Sequence, residues 1–212
     1  MMASFPIAAG CTRCPALVAN RRCIVHGYGD LRAWAMLVGE APGYKGGDLT
    51  GVPFTSDRSG RRVQAVLIDL GLSLETNPTV ERPRLQGAFI SNVVRCNPPG
   101  NRNPTTAEIA NCSPFLRAEL NRIRPKVLIT LGGFATRWAF VELLGRRPPA
   151  GIKALHGTTW PRPAGCGLAG ELTILCLVHP ARASNRQLEV ARTTLRMLGG
   201  QIVDRSFPKC TG

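Results

Sequence analysis

Nowhere does an apolar run approach the roughly 20 residues that a bilayer-spanning helix requires, so a membrane protein of that kind is not expected. The opening residues lack a basic segment followed by a long apolar one, and no secretion signal is expected. No internal repeat or low-complexity tract is present, which argues against a solenoid; 212 residues suit one domain with a sizeable core. Acidic residues are few. Against 27 Lys and Arg stand 13 Asp and Glu, a formal net charge of +14. Such an excess usually answers a polyanionic partner, with nucleic acid the leading candidate, the alternative being a basic surface with no partner. Arg outnumbers Lys, and its forked donors favour phosphate. Hydrophobic residues make up 44% of the chain, too many for a disordered one.

Cysteine is what the chain has in excess: eight residues, at 11, 14, 23, 96, 112, 166, 176 and 210. Without a secretion signal they argue against a disulfide framework. Cys11 and Cys14 form a C-x2-C pair, and Cys96 and Cys112 flank a loop that enters a helix. Four thiolates suit tetrahedral zinc or an iron–sulfur cluster. Spacing alone leaves zinc, iron and buried free thiols all open. Cys176 lies in an apolar run and reads as a small core residue; Cys23, Cys166 and Cys210 have no evident partner spacing.

Strand-like apolar runs occur at 34–39, 87–94, 126–131 and 172–178, separated by amphipathic stretches at 59–71, 105–123, 133–144 and 186–199. This alternation predicts an α/β fold, a central four-stranded parallel sheet with helices on both faces. Pro- and Gly-rich connections fall at 97–104 and 145–170, the second long enough to be partly mobile. In such a sheet the loops after the strands gather at one edge and build the site. Those loops are 39–58, 92–104, 132–133 and 179–185. The first is glycine-rich, which lets backbone amides approach a flat or anionic ligand. It also fixes two acids, Glu40 and Asp48, and one aromatic, Phe54. Asn92 ends the second strand and His179 the last. Each has a plain structural alternative: Phe54 a core anchor, Asn92 a strand-end cap, His179 a satisfied imidazole, the acids loop caps.

The motifs carry a specific resemblance. Gly39-Glu40-Ala41-Pro42-Gly43 is similar to the first motif of family four of the iron–sulfur uracil-DNA glycosylases. Gly51-Val52-Pro53-Phe54-Thr55-Ser56-Asp57-Arg58-Ser59-Gly60 resembles the corresponding region of family five. Ser91 through Arg102, Asn111 through Leu116, Leu131 through Ala135 and His179-Pro180 resemble blocks found in both. The likeness runs from about Cys11 to Asn185. The chain departs from family five at Glu40, usually apolar there, and from the His-Pro-Ser start of the last loop, which is His179-Pro180-Ala181 here.

The resemblance implies the three-layer α/β/α fold and a monofunctional DNA repair enzyme. It would hydrolyse the N-glycosidic bond of uracil, or of other deaminated bases, flipped out of DNA. It also implies a structural [4Fe–4S] cluster on Cys11, Cys14, Cys96 and Cys112. The implied site has Asp48, Glu40 and His179 as catalytic groups, with Asp48 slightly preferred over Glu40 if the fold is like that of family five. Phe54 would stack on the base, Asn92 would read its edge, and Gly39, Ala41 and Gly43 would bring backbone close to it. Lys45, Arg58, Arg102, Arg182 and Asn185 would meet DNA. The expected setting is a cytoplasmic monomer at DNA; the alternative is a metal-stabilised nucleic-acid-binding protein without catalysis.

Overall fold

The computed structural model describes residues 10–162 and 171–206, with side chains to residue 202. In chain order the elements are α1 (Pro15–Asn20), β1 (Tyr28–Gly29), β2 (Ala35–Gly39), α2 (Gly47–Thr50) and α3 (Arg58–Asp69). There follow β3 (Ala88–Asn92), α4 (Thr106–Ile123), β4 (Val127–Leu131), α5 (Gly133–Leu144) and α6 (Ile152–Leu155). The described chain ends with β5 (Thr159–Pro161), β6 (Thr173–Leu177) and α7 (Asn185–Ser206). Among the described residues no helix is long and apolar enough to cross a membrane.

The strands form one sheet in the order β1-β3-β2-β4-β6-β5. The inner four are parallel, as their continuous apolar runs predict for strands covered on both faces. Two short antiparallel strands, β1 and β5, extend the sheet beyond the four expected. Neither carries an apolar run, because an edge strand is not enclosed on both sides, and so neither was legible as a strand. The expected 145–170 connection contains α6 and β5; its residues 163–170, Cys166 among them, lie outside the described residues, as does Cys210.

Side-chain alternation along the strands sorts the core into two layers. Met36, Val38, Phe89, Leu128 and Ile174 pack against Leu116 and Leu120 of α4 and Trp138 and Phe140 of α5. Leu37, Ile90, Ile129 and Leu175 pack on the other face against Val63 and Leu67 of α3 and Ala191 and Leu195 of α7. Helix α4 begins where its sequence signals place it. Thr105 accepts from the Glu108 amide at 3.2 Å and Glu108 returns a contact to the Thr105 amide at 2.7 Å, a capping box. Helix α7 continues past 199, where the sequence pattern faded. The missing Cβ of Gly199 leaves room for Trp34, whose ring a methyl there would meet at 3.2 Å.

One ionic feature lies inside the apolar layer. Arg95, just beyond β3, pairs with Glu119 of α4 at 2.6 Å, both side chains 1% exposed. Ser91 Oγ donates to Glu119 Oε2 at 2.6 Å and accepts from Arg95, and the Gly27 amide donates to Glu119 Oε1 at 3.1 Å. Removing one partner would leave a buried charge uncompensated, so Glu119→Ala should destabilise by about 3–5 kcal/mol. Chemical denaturation should show this, with Glu119→Gln less damaging because the amide oxygen still accepts.

Candidate functional site

The four parallel strands end at the same edge, where their loops enclose a cleft of about 800 Å³. Gly39 closes β2 directly beside Asn92, its partner in register at the end of β3. A Cβ on Gly39 would lie 2.6 Å from Phe54 Cζ and 2.7 Å from Asn92 Oδ1. The glycine therefore lets ring and carboxamide meet over the strand end. Phe54 adopts a left-handed φ of 53°, which costs on the order of 1–3 kcal/mol for a non-glycine residue. Two neighbours hold it there. Gln64 Nε2 donates to its carbonyl at 3.2 Å, and Gly60 packs so close that a Cβ would stand 2.6 Å from the Phe54 carbonyl carbon. Phe54 and Asn92 both line the cleft; Asn92 is 2% exposed and its Nδ2 has no hydrogen-bond partner.

The two acids separate. Glu40 lines the cleft with Ala41 and Gly43, and its buried Oε1 has no partner. Burial pushes its carboxyl up to about 7, with the Arg182 charge pulling partly back. Asp48 is fully buried in α2 and is not part of the cleft lining; its Oδ1 accepts from the Arg22 amide at 3.1 Å. Its Oδ2, like Glu40 Oε1, is buried without a hydrogen-bond partner. A third acid does reach the cleft. Asp57 caps α3, accepting from the Gly60 amide at 2.7 Å, while Gly43 and Gly46 fold around its other oxygen. Its place within the Gly51–Gly60 motif gave no sign of this, because the reach of the glycine loop back toward it is not visible in chain order.

His179 lines the cleft at the end of β6. Its ring is held below the usual imidazole range by burial first, then by Arg182, with Asp57 opposing. Nδ1 accepts from the Ala181 amide at 3.4 Å, so the proton of the neutral ring belongs on Nε2. Gly132 lies in van der Waals reach of His179 and adopts a left-handed φ of 100°, a backbone that favours glycine. Arg62 of α3 grips the same loop, donating to the carbonyls of Pro180 at 2.8 Å and Ala183 at 2.6 Å. His156 ties its base: Nδ1 accepts from the Val178 amide at 3.2 Å and Nε2 bonds the Gln187 carbonyl at 3.0 Å.

Of the residues expected at DNA, Lys45, Arg102 and Arg182 line the cleft, whereas Arg58 and Asn185 do not. Arg102 is already engaged by both oxygens of Glu108, at 2.7 and 2.8 Å, and holds that carboxyl down at about 2. Tyr44, Lys153 and Gln187 also line the cleft and were not anticipated. Only Tyr44 carried a signal, an aromatic among glycines.

The four cysteines gather on the far side of the same loops. Cys14 caps α1, Cys96 follows β3 and Cys112 sits in α4. Arg21 donates to Cys96 Sγ at 3.3 Å and to the Cys11 carbonyl at 2.8 Å, and Asn111 Nδ2 donates to Cys14 Sγ at 3.4 Å. Burial, opposed by Arg95 and helped by Cys96 and Cys14, pushes the Cys112 thiol up to about 11. Cys96 is raised by burial and feels Cys11 and Cys14 likewise. Among the described residues no three sulfur, imidazole or carboxylate side chains stand close enough to hold one metal ion. Cys176 is buried in β6 as expected, and the Cys23 thiol donates to the Asp48 carbonyl at 3.4 Å.

Residues 26–198 match the family described as the uracil DNA glycosylase superfamily. The chain belongs to that superfamily. A type-5 uracil-DNA glycosylase of Pyrobaculum aerophilum is 38% identical over 153 residues, 64% of this chain and 66% of its own length. A type-4 uracil-DNA glycosylase of Saccharolobus solfataricus is 36% identical over 133 residues, 63% of this chain and 56% of its own. A type-5 enzyme of Mycobacterium bovis is 33% identical over 209 residues, 89% of this chain and 74% of its own. The chain thus spans 66% and 56% of the length of the first two. Relatives of both types match the mixed motif reading of Gly39–Gly43 and Gly51–Gly60.

Within this superfamily member the Gly39 contact is directly testable. Gly39→Ala should leave the thermal unfolding midpoint within a few degrees while displacing Phe54 and Asn92. The side-chain amide resonances of Asn92 should shift with that displacement in a two-dimensional NMR spectrum, and unshifted resonances would mean that Gly39 does not set the pair's position.

Proposed function

We propose that the chain is a single-domain uracil-DNA glycosylase, acting on DNA in the cytoplasm as a monomer and leaving an abasic site. The observation that carries this reading is the meeting of Phe54, Asn92, Glu40 and His179 in one cleft, with polar atoms of Asn92 and Glu40 buried and unpartnered. Such atoms are costly unless a ligand completes them. An everted uracil does so: its ring stacks on Phe54, Asn92 Nδ2 donates to O4 and Asn92 Oδ1 accepts from N3–H. Other deaminated bases that keep this edge would also be accepted. Gly39, Ala41 and Gly43 let the backbone approach the base.

Breaking the N-glycosidic bond places positive charge on the sugar and negative charge on the base. His179 Nε2–H meets the negative charge growing on O2, and the lowered imidazole basicity keeps that ring neutral, a donor without a net charge. Glu40 is the carboxylate facing the cleft, suited to orient the attacking water or oppose the sugar cation. Asp48 acts indirectly, by holding the Arg22 segment. Lys45 and Arg182, both in the cleft lining, would meet the phosphates, with Arg102 steadied by Glu108, and Arg58 and Asn185 would contact DNA outside that lining.

Cys11, Cys14, Cys96 and Cys112 would hold a [4Fe–4S] cluster. The fit rests on the donor chemistry: four thiols, two of them buried where a thiolate is disfavoured, share one region yet are too spread for a single ion. The irons of such a cluster would supply the positive charge that compensates buried thiolates. When bound it supplies a cross-link between α1, the loop after β3 and α4, and no bond-making step.

Excision of uracil from an oligonucleotide, revealed by alkaline cleavage, tests the reading; intact strands under all conditions would leave only a binding role. Because Glu40 ionises near 7, the single-turnover rate should rise roughly tenfold between about pH 6 and pH 8. The sign follows from the carboxylate being the working form. Glu40→Gln should flatten this limb and slow excision on the order of 10²-fold, whereas Asp48→Asn should keep it. In a separate measurement, purified protein should be brown, with visible absorbance lost in Cys96→Ser.

A further inference from the structure

Tyr44 is out of place for a folding residue. It belongs to neither core layer, is 46% exposed, and yet lines the cleft. The Arg22 guanidinium carbon stands 4.1 Å from its ring centroid, a cation–π contact that covers part of the ring. Its main chain is pinned as well. The Tyr44 amide donates to Asn101 Oδ1 at 2.9 Å, and that oxygen also accepts from buried Asn97 at 2.8 Å. Asn97 in turn donates to the Pro42 carbonyl at 2.8 Å, and Asn101 holds a left-handed φ of 55°. Arg22 is itself fixed by buried Asp48 through its amide. Two independent sets of contacts therefore hold one half-exposed ring still at the mouth of the cleft, beside Lys45.

Resting on the DNA reading above, we propose that Tyr44 is a stacking platform for the nucleobase next to the everted nucleotide. A nucleobase fits for three reasons. A phenol ring offers a flat apolar face of the right size. The guanidinium behind it stiffens the ring and adds positive charge to a site that a polyanion must approach. Lys45, the next residue, lines the same cleft and suits the neighbouring phosphate. Phe54 and Tyr44 divide the work: the first holds the base that leaves the stack, the second holds a neighbour. Asp48 then has a role without entering the cleft, since it sets the cation behind the platform.

The test uses the full-length protein and an oligonucleotide carrying a stable abasic analogue, with 2-aminopurine in turn at each adjacent position. Stacking should change its emission at one of the two positions with the wild type and with Tyr44→Phe. The change should be absent with Tyr44→Ala, together with roughly tenfold weaker binding. The slope of affinity against salt should stay the same for Tyr44→Ala but fall by about one for Lys45→Met, which removes a phosphate contact and no stacking. Wild-type emission and affinity retained in Tyr44→Ala would overturn the platform while uracil excision by the same preparation kept the enzyme reading intact. Absence of both excision and binding in the wild type would overturn both.

Discussion

Gly39 has no Cβ, and two groups occupy the space where one would stand. Phe54 comes from a loop fifteen residues downstream and Asn92 from the end of the neighbouring strand, and they meet only because β2 stops in a residue without a side chain. The parallel register places Gly39 opposite Asn92, and the shared direction of β2, β3, β4 and β6 brings Glu40 and His179 to the same edge. Everything the cleft does to a ligand depends on that coincidence of strand ends. The left-handed backbone at Phe54 is the local strain that it carries, held by Gln64 and the close approach of Gly60.

Burial shifts two ionisable groups of the cleft in opposite directions. The Glu40 carboxyl is raised, so its charge is available only near neutrality and above; the His179 ring is lowered, so it remains a neutral donor. Arg182 is near both and moderates the first while reinforcing the second. Asp57 opposes it at the imidazole. Net charge alone does not describe this site: a basic protein has built a cleft lined by two carboxylates, Glu40 and Asp57, with an imidazole and a carboxamide.

The cysteine end and the cleft share their supports. Asn97 directly follows Cys96, is buried, and receives two hydrogen bonds from Asn20 at the end of α1, at 3.0 and 2.9 Å. Its own amide reaches Pro42 in the glycine loop. On the other side of the same loop, Arg95 is locked to Glu119 of α4 and Ser91 precedes Asn92. A cross-link among the four cysteines would therefore stiffen the residues that hold Asn92 and Pro42, which gives a structural group a way to matter for chemistry some distance off.

Much of this was written in the chain. Continuous apolar runs named the four inner strands, amphipathic periods named α3, α4, α5 and α7, and the loops after the strands named Glu40, Phe54, Asn92 and His179. These are local signals, readable because burial on both faces demands an unbroken apolar run and a helix demands its own period. Tertiary structure decided the rest. It separated Glu40 from Asp48, which are alike in sequence and differ only in which side of the glycine loop they face. It brought Asp57 and Tyr44 to the cleft and left Arg58 and Asn185 outside its lining. It also added the edge strands, which lack a signal because nothing encloses them. The direction a side chain takes from a loop is set by contacts with residues far away in sequence, such as Arg22 with Asp48 or Asn101 with Tyr44, and no local pattern encodes such a pair.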